Sequence, residues 1–149
     1  MNPIPLGTHR FSFYTDASAD RAWALLTCAG ETPKYFHGLA VTSSWSVGDP
    51  VRIARPRSGP DHGDSLTGRV LCVRPPSRLS FYFHSGTNDP HTYLTWELRP
   101  SACGTVVQLQ VDHVDHIEEL GDAEDTWLPV LAGLQALLAA DGGGRPPTA

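Results

Sequence analysis

The sequence predicts an α+β fold: a bent antiparallel sheet of about six to seven strands wrapped round one long C-terminal helix, with two short helices after the first strand. Three observations predict it. From Ala40 onward, alternating segments follow one another between turn residues, as antiparallel strands do. The last stretch, from about Glu124 to Ala140, repeats apolar residues at helical spacing. Only two short helical patterns separate the first alternating segment from the rest. A sheet of that size must bury one face, and the only apolar partner long enough is the C-terminal helix.

The elements follow in order. Thr8 to Thr15 places Phe11 and Phe13 on one face and Ser12 and Tyr14 on the other, a half-buried strand. Ser18 suits a helix N-cap, because its hydroxyl can accept from an otherwise unpaired amide of the first turn. The helix runs to about Leu26 with Ala22, Trp23 and Leu26 on its apolar side, and Gly30 ends it. Pro33 suits the first position of a second short helix that carries Tyr35 and Phe36 before Gly38 breaks it. Ala40 to Trp45 and Val51 to Ala54 pair around Gly48-Asp49-Pro50. Leu66 to Val73, Arg78 to His84, Tyr93 to Arg99 and Thr105 to His113 are four further strands. Pro75-Pro76 and Ala102-Cys103-Gly104 supply turns, and 85–90 connects the middle two strands. Segment 55–65 has no pattern and many breakers, so it reads as a loop. In the last helix Trp127, Val130, Leu131, Leu134, Leu137 and Leu138 form the apolar stripe. Pro129 fits if that helix begins near Thr126, and otherwise kinks it. Residues 1–141 read as a single domain and 142–149 as a frayed tail.

Composition narrows the function. Hydrophobic residues make up 40% of the 149 and charged ones 18%, which places the chain among globular domains rather than disordered ones. Eleven basic and sixteen acidic side chains give a formal charge of −5. Arg52, Arg55, Arg57, Arg69, Arg74 and Arg78 are scattered over several segments, so the electrostatic footprint of a nucleic-acid binder is missing. Cys28, Cys72 and Cys103 are odd in number and lack CxxC spacing, which argues against a disulfide framework and for a reducing, cytoplasmic setting. No basic-then-apolar leader opens the sequence, and no apolar run is long enough to span a bilayer, so a membrane partner is not expected.

One ordered set of landmarks goes further. Tyr35-Phe36-His37-Gly38-Leu39 is followed by Ser44-Trp45-Ser46-Val47-Gly48-Asp49-Pro50. Then come Gly68-Arg69-Val70, Pro75-Pro76-Ser77-Arg78-Leu79, Trp96-Glu97-Leu98 and Trp127. In this order they resemble the SRPBCC superfamily (START-like, helix-grip, the birch-pollen-allergen architecture), in the branch named after the activator of a heat-shock ATPase. The resemblance covers roughly Phe11 to Leu138. It implies a cavity between sheet and last helix, closed at one end by the segment carrying Tyr35 and Phe36.

Strand parity supplies the candidate wall of that cavity. Leu79, Phe81 and Phe83; Leu94, Trp96 and Leu98; and Val107, Leu109, Val111 and His113 share one face. An apolar face of this kind packs either a solid core or a ligand-sized cavity. The residues expected at a ligand are Phe81, Phe83, Leu94, Trp96, Leu109, Val111 and His113 of the strands, with Trp127, Leu131 and Leu134 of the helix. Tyr35 and Phe36 complete the set, and with Trp45, Trp96 and Trp127 they could form a cage for a flat molecule.

His113 is the one weak catalytic candidate. It continues an apolar face to the strand's end, in the run His113-Val114-Asp115-His116, and such family positions commonly hold a His-Asp pair. An imidazole there either donates to a ligand carbonyl, acts as a base, or simply ties down the following loop. On a strand, His113 and His116 point to opposite faces, and His62, His84 and His91 lie far apart, so no metal site and no cofactor are expected. Cys28, Cys72 and Cys103 lack a neighbouring base that would make a nucleophile, and no GxSxG, phosphate loop or HExxH is present.

Three readings follow. The first is binding of an apolar or aromatic small molecule; at roughly 25 cal/mol per Å² of buried apolar surface a modest polycycle reaches micromolar affinity. The second is a cyclase, dehydratase or hydrolase of natural-product metabolism in the same pocket, with His113 as base and Tyr35 or His37 near the mouth. The third, suggested by the branch's name, is a chaperone-interaction module. Whether the chain is an enzyme, and whether it is a monomer or a homodimer, stays open at this point.

Overall fold

The computed structural model describes residues 7–55, 66–84, 92–113 and 120–140. Most of the 55–65 loop, the 85–90 connection, the 142–149 tail, and His62, His91, Asp115 and His116 lie outside the described residues.

Seven strands form one antiparallel sheet: β1 (Gly7–Thr15), β2 (Ala40–Thr42), β3 (Pro50–Ala54), β4 (Leu66–Arg74), β5 (Arg78–His84), β6 (Thr92–Ser101) and β7 (Gly104–His113). Their order across the sheet is β1-β7-β6-β5-β4-β3-β2. Among the described residues, two helices, α1 (Ala19–Thr27) and α2 (Leu120–Leu138), and a 3₁₀ turn (Thr32–Lys34) accompany the sheet. The α+β helix-grip arrangement expected from the sequence is the one observed. Among the described residues, no helix is long and apolar enough to cross a membrane.

Helix α1 starts where expected: the Ser18 hydroxyl accepts from the Arg21 amide at 3.1 Å, and Ala22, Leu25 and Leu26 are buried. Its last turn is finished by side chains far along the chain. The Tyr35 hydroxyl donates to the Leu25 carbonyl at 2.8 Å, and the Trp45 indole Nε1 donates to the Thr27 carbonyl at 3.0 Å. Carbonyls at a helix C-terminus have no partner within the helix, so two aromatic side chains act here as its cap.

Three expectations are corrected. Strand β2 stops at Thr42 rather than Trp45, because Trp45 takes φ 57°, outside the extended region, as its ring turns toward α1. Tyr35 and Phe36 follow the 3₁₀ turn rather than lying on it. Helix α2 begins at Leu120, which places Pro129 inside it. Pro129 removes the amide that would serve the Asp125 carbonyl, but both residues are exposed, where water can take over that role.

A bulge in β4 keeps the faces consistent. Val70 pairs with Phe81 and Cys72 with Ser80, so Leu71 is the extra residue and 43% exposed. The shift returns Val73, opposite Leu79, to the face of Val70 and adds bend to the sheet. Gly68 lies opposite Phe83 where the two backbones almost touch: a Cβ there would fall 1.7 Å from the Tyr82 carbonyl oxygen. The concave face holds the core, with Val51, Ile53, Val70, Leu79, Leu94, Leu98, Val107 and Leu109 all but fully buried beneath α1 and α2.

Candidate functional site

Register shows how the concave wall is assembled. One row across the sheet reads Phe11, Leu109, Trp96, Leu79; the next reads His9, Val111, Leu94, Phe81, Val70. The predicted wall residues Phe81, Leu94, Trp96, Leu109 and Val111 therefore share one surface, and all are buried. Phe83 continues the surface but is half-buried. Facing them, α2 buries Trp127, Val130, Leu131, Leu134 and Leu138, while Leu128 on its other side is 49% exposed.

Helix α2 is held at two places. Among the strands it runs closest to β1, where Gln135 Nε2 donates to the Tyr14 carbonyl at 3.4 Å. Opposite, Gly133 meets the segment after the 3₁₀ turn: a Cβ at Gly133 would stand 2.9 Å from Tyr35 Cβ and 3.2 Å from its Cα. Only a hydrogen side chain allows that approach. The 3₁₀ turn is in turn fastened to the sheet edge, since the Val41 amide donates to the Thr32 hydroxyl at 2.9 Å.

The five aromatics proposed as a cage divide into separate contacts. Phe36 meets Trp127 edge-on at 5.8 Å, and Tyr35 meets Phe36 at 6.4 Å. Trp45 tilts against Phe81 at 5.6 Å. Trp96 lies in the wall, buried between Leu109 and Leu79. Tyr35 is 5% exposed, and burial pushes its phenol well above the usual tyrosine value, with the charges of Glu31 and Cys28 adding to the shift. Its proton is committed to Leu25, so Tyr35 offers a ring edge and backbone to the site, not an acid or base.

His37 is exposed, with φ 56°, next to Gly38 at φ 79°. Its Nε2 donates to the Thr126 carbonyl of α2 at 2.7 Å, which fixes the proton on that nitrogen. The Tyr35–Gly38 segment is thus a strap laid across α2 and locked by a histidine.

Polar residues stand at both ends of the concave face, with Thr15 and Thr105 buried at one and Thr92 half-buried at the other. Thr92 pairs with both Phe83 and His113, and His113 pairs with Gly7, so these positions form the last row of the sheet. His9 stands in the row beside it, opposite Val111. His113 is the last residue of β7. His9 and Thr92 were missed from the sequence, although both share parity with recognised apolar neighbours, Phe11 and Leu94. The signal was there, two residues beyond the apolar run in each strand.

The family model described as Activator of Hsp90 ATPase homolog 1-like protein matches residues 16–139. Three solved structures share the fold. A protein of Cytophaga hutchinsonii is 19% identical, with a TM-score of 0.73 over 95% of this chain and 99% of that one. The Aha1 dimer from Colwellia psychrerythraea is 14% identical, with a TM-score of 0.69 over 89% and 96%. DynU16, from the dynemicin biosynthetic locus, is 20% identical with a TM-score of 0.71, over 95% of this chain and 49% of DynU16. At these identities the likeness shows the fold alone. No curated protein is a detectable sequence relative of the chain. With the family match spanning most of its length, the chain belongs to the Activator of Hsp90 ATPase homolog 1-like family, within the SRPBCC superfamily.

Proposed function

We propose that the protein binds an apolar or aromatic small molecule between the concave sheet and α2, its polar end toward the rim of His9, Thr92 and His113. The observation that carries this reading is the unbroken apolar surface in the middle of the concave face, from Phe11, Leu109, Trp96 and Leu79 to Val111, Leu94, Phe81 and Val70. Burial would supply the affinity and one or two rim hydrogen bonds the orientation. The ligand-facing residues are Phe81, Phe83, Leu94, Trp96, Leu109 and Val111 on the sheet, and Trp127, Leu131 and Leu134 on α2. Phe36 closes the site against Trp127, with Tyr35 behind it.

The test is native mass spectrometry of the purified protein, followed by thermal shift with flat hydroxylated polycycles such as naringenin and 1,8-dihydroxyanthraquinone. A ligand at 100 times its Kd adds about 2.7 kcal/mol of apparent stability, equivalent to a rise of roughly 8 °C for a domain of this size. A clean apo mass with no shift across the panel overturns the reading. A second reading, an enzyme acting in the same site, draws on the rim position of His113 and on the natural-product locus of one structural neighbour. Turnover unchanged in His113→Gln would remove that residue as its base.

A further inference from the structure

The convex face of the sheet carries a charge pattern that the linear sequence conceals. Read along the chain, the arginines are scattered. Across the sheet, register brings six of them to one side: Arg10 on β1, Arg52 on β3, Arg69 and Arg74 on β4, Arg78 on β5 and Arg99 on β6. Each sits at outward parity and each is exposed. The acidic residues at outward strand positions are Glu97 and Asp112. Among the described strand residues, six positive against two negative side chains leave +4 on this face of a chain whose formal charge is −5.

The hydrogen bonds preserve that charge more than they cancel it. Arg78 is paired with Glu97. Arg69 donates to the Gly48 carbonyl at 2.8 Å, Arg10 to the Gln110 amide oxygen at 3.0 Å and Arg99 to the Gln108 amide oxygen at 3.4 Å. All three acceptors are neutral, so the guanidinium charge stays in place while its direction is set. Beside Arg69, directly opposite in register, lies Tyr82, whose ring stacks with His84 at 6.2 Å and tilts on Tyr93 at 5.5 Å. Half-buried tyrosines among oriented arginines are the composition that protein interfaces favour over the rest of a surface.

We infer that the convex face docks a partner protein through a surface rich in Asp and Glu. Six adjacent strands from β3 to β1, at about 4.8 Å spacing and up to roughly 30 Å length, present on the order of 800 Å². That is close to the roughly 800 Å² each partner contributes to a standard interface. A long polyanion such as nucleic acid is disfavoured by the negative charge of the chain as a whole, which acts beyond the patch. A second copy meeting it through the same face in a two-fold contact would set positive charge against positive charge. An acidic partner of another kind fits better.

The experiment measures anisotropy of a fluorescein-labelled ten-residue glutamate peptide, with a ten-residue Gly-Ser peptide and a ten-nucleotide oligothymidylate as alternatives. The glutamate peptide should bind tightest and weaken about tenfold between 50 and 200 mM salt. Combined Arg52→Gln, Arg69→Gln and Arg74→Gln should weaken it at least tenfold, while Arg21→Gln on α1 changes it less than twofold. If the triple variant melts lower, the single changes at Arg52 and Arg74 serve in its place and should each cost two- to threefold. Equal loss with Arg21→Gln, or binding no tighter than that of the Gly-Ser peptide, overturns the inference. So does preferential binding of oligothymidylate, which would make the face a nucleic-acid surface. Salt-sensitive self-association in analytical ultracentrifugation, lost in the triple variant, would assign the face to a second copy instead.

Discussion

Replacing Tyr35 by Phe removes one oxygen atom and tests how the strap, α1 and the site are coupled. The hydroxyl lies 2.8 Å from the Leu25 carbonyl in a buried setting, and that carbonyl belongs to the last turn of α1. Phe fills the same ring volume, so no cavity contributes and the packing against Gly133 and Phe36 is preserved. What is lost is a neutral hydrogen bond, and what remains is a buried acceptor with no donor. Together these cost about 1.5 kcal/mol, the recovered desolvation of the hydroxyl offsetting part of the penalty. For a domain of this size that lowers Tm by about 5 °C. Urea denaturation should show the same loss as a lower midpoint with an unchanged slope. Ligand affinity, measured well below both melting temperatures, should stay within twofold, because the hydroxyl faces α1. An unchanged Tm would refute the capping role, and a large affinity loss at unchanged stability would place the hydroxyl at the ligand after all.

Further predictions follow from the same geometry. Tyr35 has its folded value raised above the unfolded 10.0, so the stability linked to its proton is complete below pH 10 and is lost as pH climbs further. The wild-type minus Tyr35→Phe difference in stability should therefore shrink above pH 10, by up to about 1.4 kcal/mol per pH unit; a constant difference would contradict this. Gly133→Ala gains about 1 kcal/mol of helix propensity but forces a Cβ to 2.9 Å from Tyr35. A net loss of about 1 kcal/mol is expected from overpacking, and a rise in Tm would refute the close crossing. Trp127→Ala should cost about 3–5 kcal/mol, against under about 0.5 kcal/mol for Leu128→Ala on the exposed side; chemical denaturation separates them. His37→Ala should cost about 1 kcal/mol or less, since water can reach the exposed Thr126 carbonyl in its place.

Much of the wall was legible because strand periodicity is exact at two residues, and Phe81, Trp96 and Val111 kept their parity through every register pair. The start of α2 was not. Pro129 reads as a helix beginning, yet it is tolerated inside because it lies on the exposed side, beyond the stripe of Trp127, Val130 and Leu134. Nor could the α1 cap be read, since the partners Leu25 and Tyr35, and Thr27 and Trp45, are separated by 10 and 18 residues. Both aromatics looked like a ligand cage, and their polar atoms turn out to serve a helix end. The arginine face was hidden for a related reason: a property distributed over five strands has no linear signature. Arg52 and Arg69 share a face only after β3, β4 and the rest of the sheet are in register.

These assignments constrain what the concave face could recognise. Tyr35 and Trp45 spend their only donors on α1, and His37 spends its Nε2 proton on α2. The closed end of the proposed site is left with ring surfaces and aliphatic side chains: Phe36 against Trp127, and Trp45 against Phe81. In the proposed site, polar discrimination would then fall to the rows of His9 and Thr92, on strands whose register fixes their spacing. A molecule recognised there would be apolar at its buried end and polar at the other. Depth would set affinity through buried area, and the rim would set selectivity through hydrogen bonds left unpaired by the wrong ligand. Thr92→Val, which keeps shape and removes one hydroxyl, should therefore narrow the affinity gap between a hydroxylated polycycle and its deoxy analogue while leaving the analogue's own affinity nearly unchanged.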